Sequence, residues 1–371
     1  IRQLRREYKK KIKLPQSLVE ELTHTAVLGQ QAWVEAREQD DFAGFQPLLV
    51  RIVDLKRQQA AAMIGAKVEE VFFGMNTGDG INLVASAIDW QPGDNVVLDD
   101  LAYVSDFVLW HHYEQAHSIE LRIVQNLAGT ATVKAFADVT NERTRLISIP
   151  YVSHHNGYLH DIRGIANLAH AFGAYFYTDA VQAVGAIPVD VKTGDMDVLA
   201  CGTYKWVFGP FGLSFIFVKE DLLDRIPPNK FGFMQKLNFQ GAFRDWPGHH
   251  SARQYEYGTY NFGGLWELGA GLQYIETVGQ ETLTRHVVDL AHRLHTGLSD
   301  LGYRMFTPLG NQTPIVTCFV DDSSGVSDTL EEAGVTASVR VDKGQLRLSP
   351  GVFNIPEEID TVLELMEKMR R

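Results

Sequence analysis

Asp179 and Lys205 are the residues whose types and spacing point most directly to chemistry. Asp179 closes the run AYFYTD, and Lys205 lies 26 residues on, in the loop that follows DVLACG. If each run is a strand of an α/β sheet, both side chains project from the carboxyl edge, where such folds place ligands. An amine and a carboxylate are what pyridoxal 5′-phosphate (PLP) chemistry needs: the amine forms a Schiff base, and the carboxylate keeps the pyridine nitrogen protonated so that the ring accepts electrons. Taken singly, Lys205 reads as a solvated charge and Asp179 as a helix cap. The neighbours sharpen the reading, because Tyr204, Trp206 and VFGPFG surround Lys205 with apolar surface, where an ammonium without a partner is costly.

A second candidate is GMNTGDGINLVASAI, a glycine-bearing turn that feeds an apolar helix. The main-chain N–H groups of Thr77 and Gly78, with the Thr77 hydroxyl, could hold a phosphate at the helix N-terminus. The segment is neither a Walker loop nor a dinucleotide fingerprint, and an ordinary glycine turn is the plainer alternative.

The elements that must position these residues follow from periodicity. Apolar residues at helical spacing through LVEELTHTAVLGQQAWVEA and FQPLLVRIVDLKRQQAAAMIG, separated by EQDDFAGF, make residues 1–65 a helical N-terminal segment. From about residue 70, short β-branched runs (NVVLD, ELRIV, TRLISIP, AYFYTD, DVLACG, LSFIFV) alternate with helical stretches such as IRGIANLAHAFG. That rhythm predicts βαβ units and a mostly parallel, doubly covered sheet, a large domain over 66–261. Residues 262–371 read as a smaller α/β domain that ends in the strand QLRLSP and a helix.

Composition excludes several classes. The chain has 371 residues and a formal charge of −12, with no basic stripe beyond Arg5, Arg6, Lys9, Lys10, Lys11 and Lys13, so nucleic acid is not an expected partner. Two cysteines, Cys201 and Cys318, each in an apolar run, support neither a disulfide framework nor a cysteine-rich metal site. No apolar stretch is long enough to cross a bilayer, and the expected location is cytoplasmic. In FQGAFRDWPGHHSARQYEYGTYN, the pair His249–His250 lacks further ligands at zinc-like spacing, so no metal is expected. With Trp246, Arg253 and Tyr255 it reads instead as a substrate-facing loop.

The order NTGDGINLVA, DLAYVSDFVLW, SIPYVSHHNGYLHD, YTDAVQAVGAIPVDV, CGTYKWVFGPFGLSFIFV, YEYGTYN and RLSP resembles the class V aminotransferase family of fold-type I PLP enzymes. That group includes cysteine desulfurases, isopenicillin N epimerase-like proteins and kynureninases. The resemblance covers residues 60 to 371 or so and implies a large domain with a mostly parallel seven-stranded sheet plus a small C-terminal α/β domain. It implies that Lys205 forms the internal aldimine and shuttles the substrate Cα proton, that Asp179 pairs with the pyridine nitrogen, and that Gln182 lies near the ring hydroxyl. Thr77 and Gly78 would meet the phosphate, with Thr203 or Tyr204 beside the lysine. Gly258 and Thr259 would reach the phosphate of a neighbouring subunit, which implies a homodimer with shared active sites. Arg347 is similar to the arginine that grips the substrate α-carboxylate.

Departures from the family pattern narrow the chemistry. Tyr103 stands where many relatives stack a histidine on the ring, and a tyrosine face can serve. His154 stands where desulfurases carry an asparagine near the ring hydroxyl. The interval GVTASVRVDKGQLRLSP lacks the mobile-loop cysteine that persulfide-forming desulfurases need, and Cys201 and Cys318 read as core thiols. The expected activity is therefore that of a PLP-dependent aminotransferase acting at Cα of an amino acid through an external aldimine. A lyase working by β-elimination, an epimerase or racemase, and a non-catalytic PLP-fold binding protein are the alternatives. Residues 1–57 resemble a helical part of the Taq-type metallocarboxypeptidases, but no HExxH motif occurs in the chain, so no peptidase activity is expected.

Overall fold

The computed structural model describes residues 16–236 and 248–370. Trp246 and the basic run at residues 5–13 lie outside these. The chain divides into two compact units, one of residues 1–88 and 189–280, the other of residues 89–188 and 281–371.

The first unit opens with helices Gln16–Glu38 and Phe42–Met63. The polar stretch expected to separate them shrinks to residues 39–41, because Asp41 caps the second helix by accepting from the Gly44 N–H at 2.9 Å. Phe45, Ile52, Val53, Leu55, Ala60 and Ala61 form its buried face. Three strands follow, β1 (Val71–Gly74), β6 (Val198–Gly202) and β7 (Ser214–Val218). β7 pairs antiparallel with both β1 and β6, in registers Gly74↔Ser214 and Gly202↔Ser214. The chain turns back from β6 to β7 through residues 203–213 with no crossover helix, which is why the expected parallel pattern gives way here.

A buried ion pair ties the second helix to the loop before Gly258. The Arg57 guanidinium donates to both oxygens of Glu256 at 2.9 Å, and each side chain is 2 % exposed. Glu256 also accepts from the Phe73 N–H at 2.9 Å and from the Tyr260 hydroxyl. One carboxylate thus joins the helix, β1 and the 256–260 loop, and its hydrogen bonds offset the desolvation of both charges.

The second unit carries β2 (Asn95–Asp99), β3 (Glu120–Val124), β4 (Thr144–Pro150) and β5 (Tyr175–Asp179) in the order β5-β4-β2-β3, all pairs parallel. β2 is buried throughout and β4 and β5 nearly so, as parallel strands covered on both faces require. A three-stranded antiparallel sheet of β8 (Val316–Phe319), β9 (Ser338–Arg340) and β10 (Gln345–Leu348) runs in the order β8-β10-β9. Its Leu346 and Leu348 join Leu290, Leu294, Val316 and Met366 in one apolar cluster with the helices Gln280–Asp300 and Pro356–Arg370. Loop 153–157 is fastened to the chain near this sheet: Asn156 donates to Gly129 O at 2.7 Å and Phe306 O at 3.2 Å, and Thr307 donates to Asn156 O at 2.7 Å. Gly157 has φ +75°, and a Cβ there would meet Ile315 O at 2.5 Å, so the close approach needs glycine. Among the described residues no helix is long and apolar enough to cross a membrane.

Candidate active site

Within the first unit, the Lys205 loop is braced at its root. Thr203 is fully buried; its N–H donates to Leu213 O at 3.1 Å, and its hydroxyl lies 2.9 Å from Pro210 O and 3.0 Å from Leu213 O. Gly209 N–H donates to Thr203 O at 2.8 Å, and a Cβ on Gly209 would come within 2.6 Å of Thr203 Cβ. Phe208 adopts φ +57°, a left-handed conformation uncommon outside glycine, which the brace enforces. Lys205 itself is half-buried, with Nζ 5.7 Å from the centroid of the Tyr204 ring, and Tyr204 stacks on Phe211 at 4.7 Å. Thr203, one of the two residues expected beside the lysine, pins the loop that carries it.

Thr77 and Gly78 open the helix Thr77–Ala87, directly after β1. Its N-cap residue Asn76 makes no side-chain hydrogen bond to the first turn, so that end of the helix remains suited to an anion. A Cβ on Gly78 would meet Asn76 Oδ1 at 2.7 Å. Asp79 fixes the turn by accepting from the Met75 N–H at 2.6 Å and pairing with Lys230. Gly258 and Thr259 share with Gly74, Met75, Asp79 and Lys230 a cavity of about 400 Å³.

Within the second unit, Asp179 ends β5 with 8 % exposure; its carboxylate accepts from the Val181 N–H at 2.9 Å, and its carbonyl from the Tyr151 N–H at 2.8 Å. Gln182 is buried on the same turn. Tyr103 precedes the helix Val104–His117 and is 48 % exposed; its ring meets His154 edge-on at 5.0 Å, with the planes at 78°. Arg347, on β10, donates to His154 O at 2.6 Å. Tyr103, His154 and Arg347 therefore form one contact chain, and Asp179 and Gln182 lie on another loop of the same unit.

Three features of this unit escaped the sequence reading. Asp106, in the first turn of helix Val104–His117, is 4 % exposed, and its Oδ2 has no hydrogen-bond partner among the described residues. Burial, and then the charges of Asp179 and Asp99, hold its carboxyl well above the usual carboxylate range. Asp99, at the end of β2, pairs with His160 at 2.6 Å with both side chains fully buried. On β9, Arg340 donates to His155 Nδ1. Burial first, then the charges of Arg340 and Lys343, push His155 down from 6.5 to about 4, which leaves it a neutral acceptor. An arginine two residues into a three-residue strand carries no sequence pattern of its own, and Asp106 inside DLAYVSDFVLW reads as a helix-start acid.

A family model described as aminotransferase class-V matches residues 42–348, and one described as carboxypeptidase Taq (M32) metallopeptidase matches residues 1–73. A probable cysteine desulfurase of Methanothermobacter thermautotrophicus is 26% identical, with 84% of this chain and 82% of that protein covered. A solved apo cysteine desulfurase from Thermococcus onnurineus superposes with a TM-score of 0.80 at 25% identity, covering 88% of this chain and 85% of the other. The cystine C-S lyase C-DES, solved with its product cysteine persulfide, shares the fold with a TM-score of 0.82 at 20% identity, covering 95% and 94%. A C-DES variant has been solved with glycine covalently linked to the PLP cofactor.

Proposed function

The chain belongs to the class-V aminotransferase family, and from that premise we propose that it is a PLP-dependent enzyme working at the Cα of an amino acid, as a class V aminotransferase. The observation that carries the reading is the half-buried amine of Lys205, on a loop that Thr203 and Gly209 hold rigid between β6 and β7. The residues fit the cofactor's needs. Lys205 supplies the amine, Asp179 a carboxylate 8 % exposed, and Gly78 a helix start whose N-cap side chain leaves the first turn uncapped.

PLP bound there would supply an electron sink for a pair released at Cα. Lys205 takes the Cα proton and returns it. Asp179 holds a proton on the pyridine nitrogen, Thr77 and Gly78 receive the phosphate, and Arg347 holds the substrate α-carboxylate as a bidentate fork. Tyr103 would meet the ring, His154 and Gln182 would lie near its hydroxyl, and Thr203 or Tyr204 would stand beside the lysine. Gly258 and Thr259 reach the phosphate of a second copy of the chain in a cytoplasmic homodimer. The reading keeps residues 1–65 as a helical segment, 66–261 as the cofactor-binding domain and 262–371 as the small domain. The three-stranded sheet, whose strands all fall within 316–348, supports a small C-terminal α/β domain.

A second reading, C–S lyase, is supported by the similarity to cysteine desulfurases. Cys201 and Cys318 are the chain's two cysteines, each has zero exposure, and burial pushes the Cys318 thiol up to about 12. Sulfur cleaved from a substrate would then leave as a released product and not as a persulfide on the enzyme.

Purified protein should be yellow, with an absorbance band that shifts when its amino acid is added, and mass analysis should separate keto acid from elimination product and epimer. Lys205→Ala should abolish turnover and the covalent link while leaving the melting temperature near that of the wild type. Turnover by Lys205→Ala would overturn the proposal.

A further inference from the structure

Arg340 and Arg347 lie on one face of the small sheet. Gln345 pairs with Arg340 and Arg347 with Ser338, so the two arginines are diagonal neighbours, with Cα atoms about 7–8 Å apart. The alternate residues of β10, Leu346 and Leu348, point into the apolar cluster, which leaves Gln345 and Arg347 on the other face. That face also meets loop 153–157, where Thr317 donates to His155 O at 2.7 Å.

Among the described residues neither arginine has an acid. Among the described residues, Arg347 makes one hydrogen bond, to His154 O, and Arg340 makes one, to His155 Nδ1. No carboxylate of the described residues lies within ion-pair distance of either, not even that of nearby Asp342. Elsewhere in the same unit, arginines do find acids, as in Arg293 with Asp360 at 2.6 Å and Arg122 with Glu120 at 2.6 Å. Burial lowers both Arg340 and Arg347, and the charge of Arg340 lowers Arg347 further. Two adjoining cations, partly desolvated, raise one another's energy, and an anion on each relieves it. His155 accepts from Arg340 without neutralising it, so it aims the fork and leaves the charge in place. Between the arginines, Gln345 is 7 % exposed with a buried Oε1 that has no partner among the described residues. Such a polar group costs free energy until a ligand or water meets it.

We propose that this face recognises an α-amino acid whose side chain carries a second negative group, Arg347 taking the α-carboxylate and Arg340 the side-chain anion. The inference deepens the function proposed above and rests on it for the role of Arg347. Arg340 is a specificity-determining residue, and His155 is the positioning residue behind it.

Calorimetric titration of the purified holoprotein with succinate and butyrate tests it, since the two acids differ by one carboxylate. Succinate should bind more tightly. Arg340→Gln should weaken succinate roughly tenfold to a hundredfold and leave butyrate unchanged, whereas Arg347→Gln should weaken both. Arg340→Lys, which keeps the charge but loses the fork, should fall between, and it carries the comparison if Arg340→Gln melts early. Equal affinities for the two acids in the wild type, or equal losses in Arg340→Gln, would mean that both arginines grip one carboxylate and would overturn the proposal. A protein without the cofactor's absorbance band would instead count against the proposed function, and the two titrations would still report on the arginines.

Discussion

Asp106 and His155 both have charge states set by folding, and each leaves a different mark on stability. A carboxyl raised by burial destabilises the fold increasingly as pH climbs from its unfolded value toward its folded one. Asp106→Asn removes that loss. Thermal unfolding curves of the variant and the wild type should therefore separate as pH rises from about 4, with the variant higher. Parallel curves would show that Asp106 does not hold the proton. His155 behaves in the opposite sense: its folded value of about 4 lies below 6.5, so its stabilising neutral form is fully present above 6.5 and lost as pH falls toward 4. His155→Asn, which keeps an acceptor near the Nδ1 position, should flatten the stability profile in that window.

Among the elements, the buried Glu256 hub offers the largest single effect. Glu256→Ala strands the Arg57 guanidinium and frees the Phe73 N–H and the Tyr260 hydroxyl, at a cost of about 3–5 kcal/mol in urea denaturation. A cost below about 1 kcal/mol would show that the hub is not desolvated in solution. In helix Phe262–Val278, a Cβ on Gly271 would lie 2.3 Å from Val207 O and 3.1 Å from Phe208, so Gly271→Ala should shift the Lys205 loop and move the cofactor's absorbance band. These links were not legible in the sequence, because Arg57 and Glu256 are 199 residues apart and nothing local marks either as half of a pair. The strands were legible where long buried runs alternate with helices, from NVVLD to LSFIFV. β1 was not, since VFFG is four residues long and wedged between helical stretches. Lys205 and Asp179 were candidates by type and spacing and Arg347 by motif order, whereas Arg340 emerges only when the β9–β10 register sets it beside Arg347.

For the whole molecule, the proposed shared sites predict complementation. Lys205→Ala and Thr259→Glu should each be inactive alone, the second because its charge repels a phosphate. Mixed and allowed to exchange subunits, they should regain activity through hybrids in which one site has both native residues. Exchange without recovery would argue that Thr259 serves its own subunit or none. Cys201 is locked in β6 and Cys318 in β8, each at zero exposure. Thiol-alkylating reagents therefore have no exposed sulfhydryl to attack in the folded chain. The protein should keep its activity in air, without added reductant and after iodoacetamide, under conditions that poison catalysts working through an exposed thiolate.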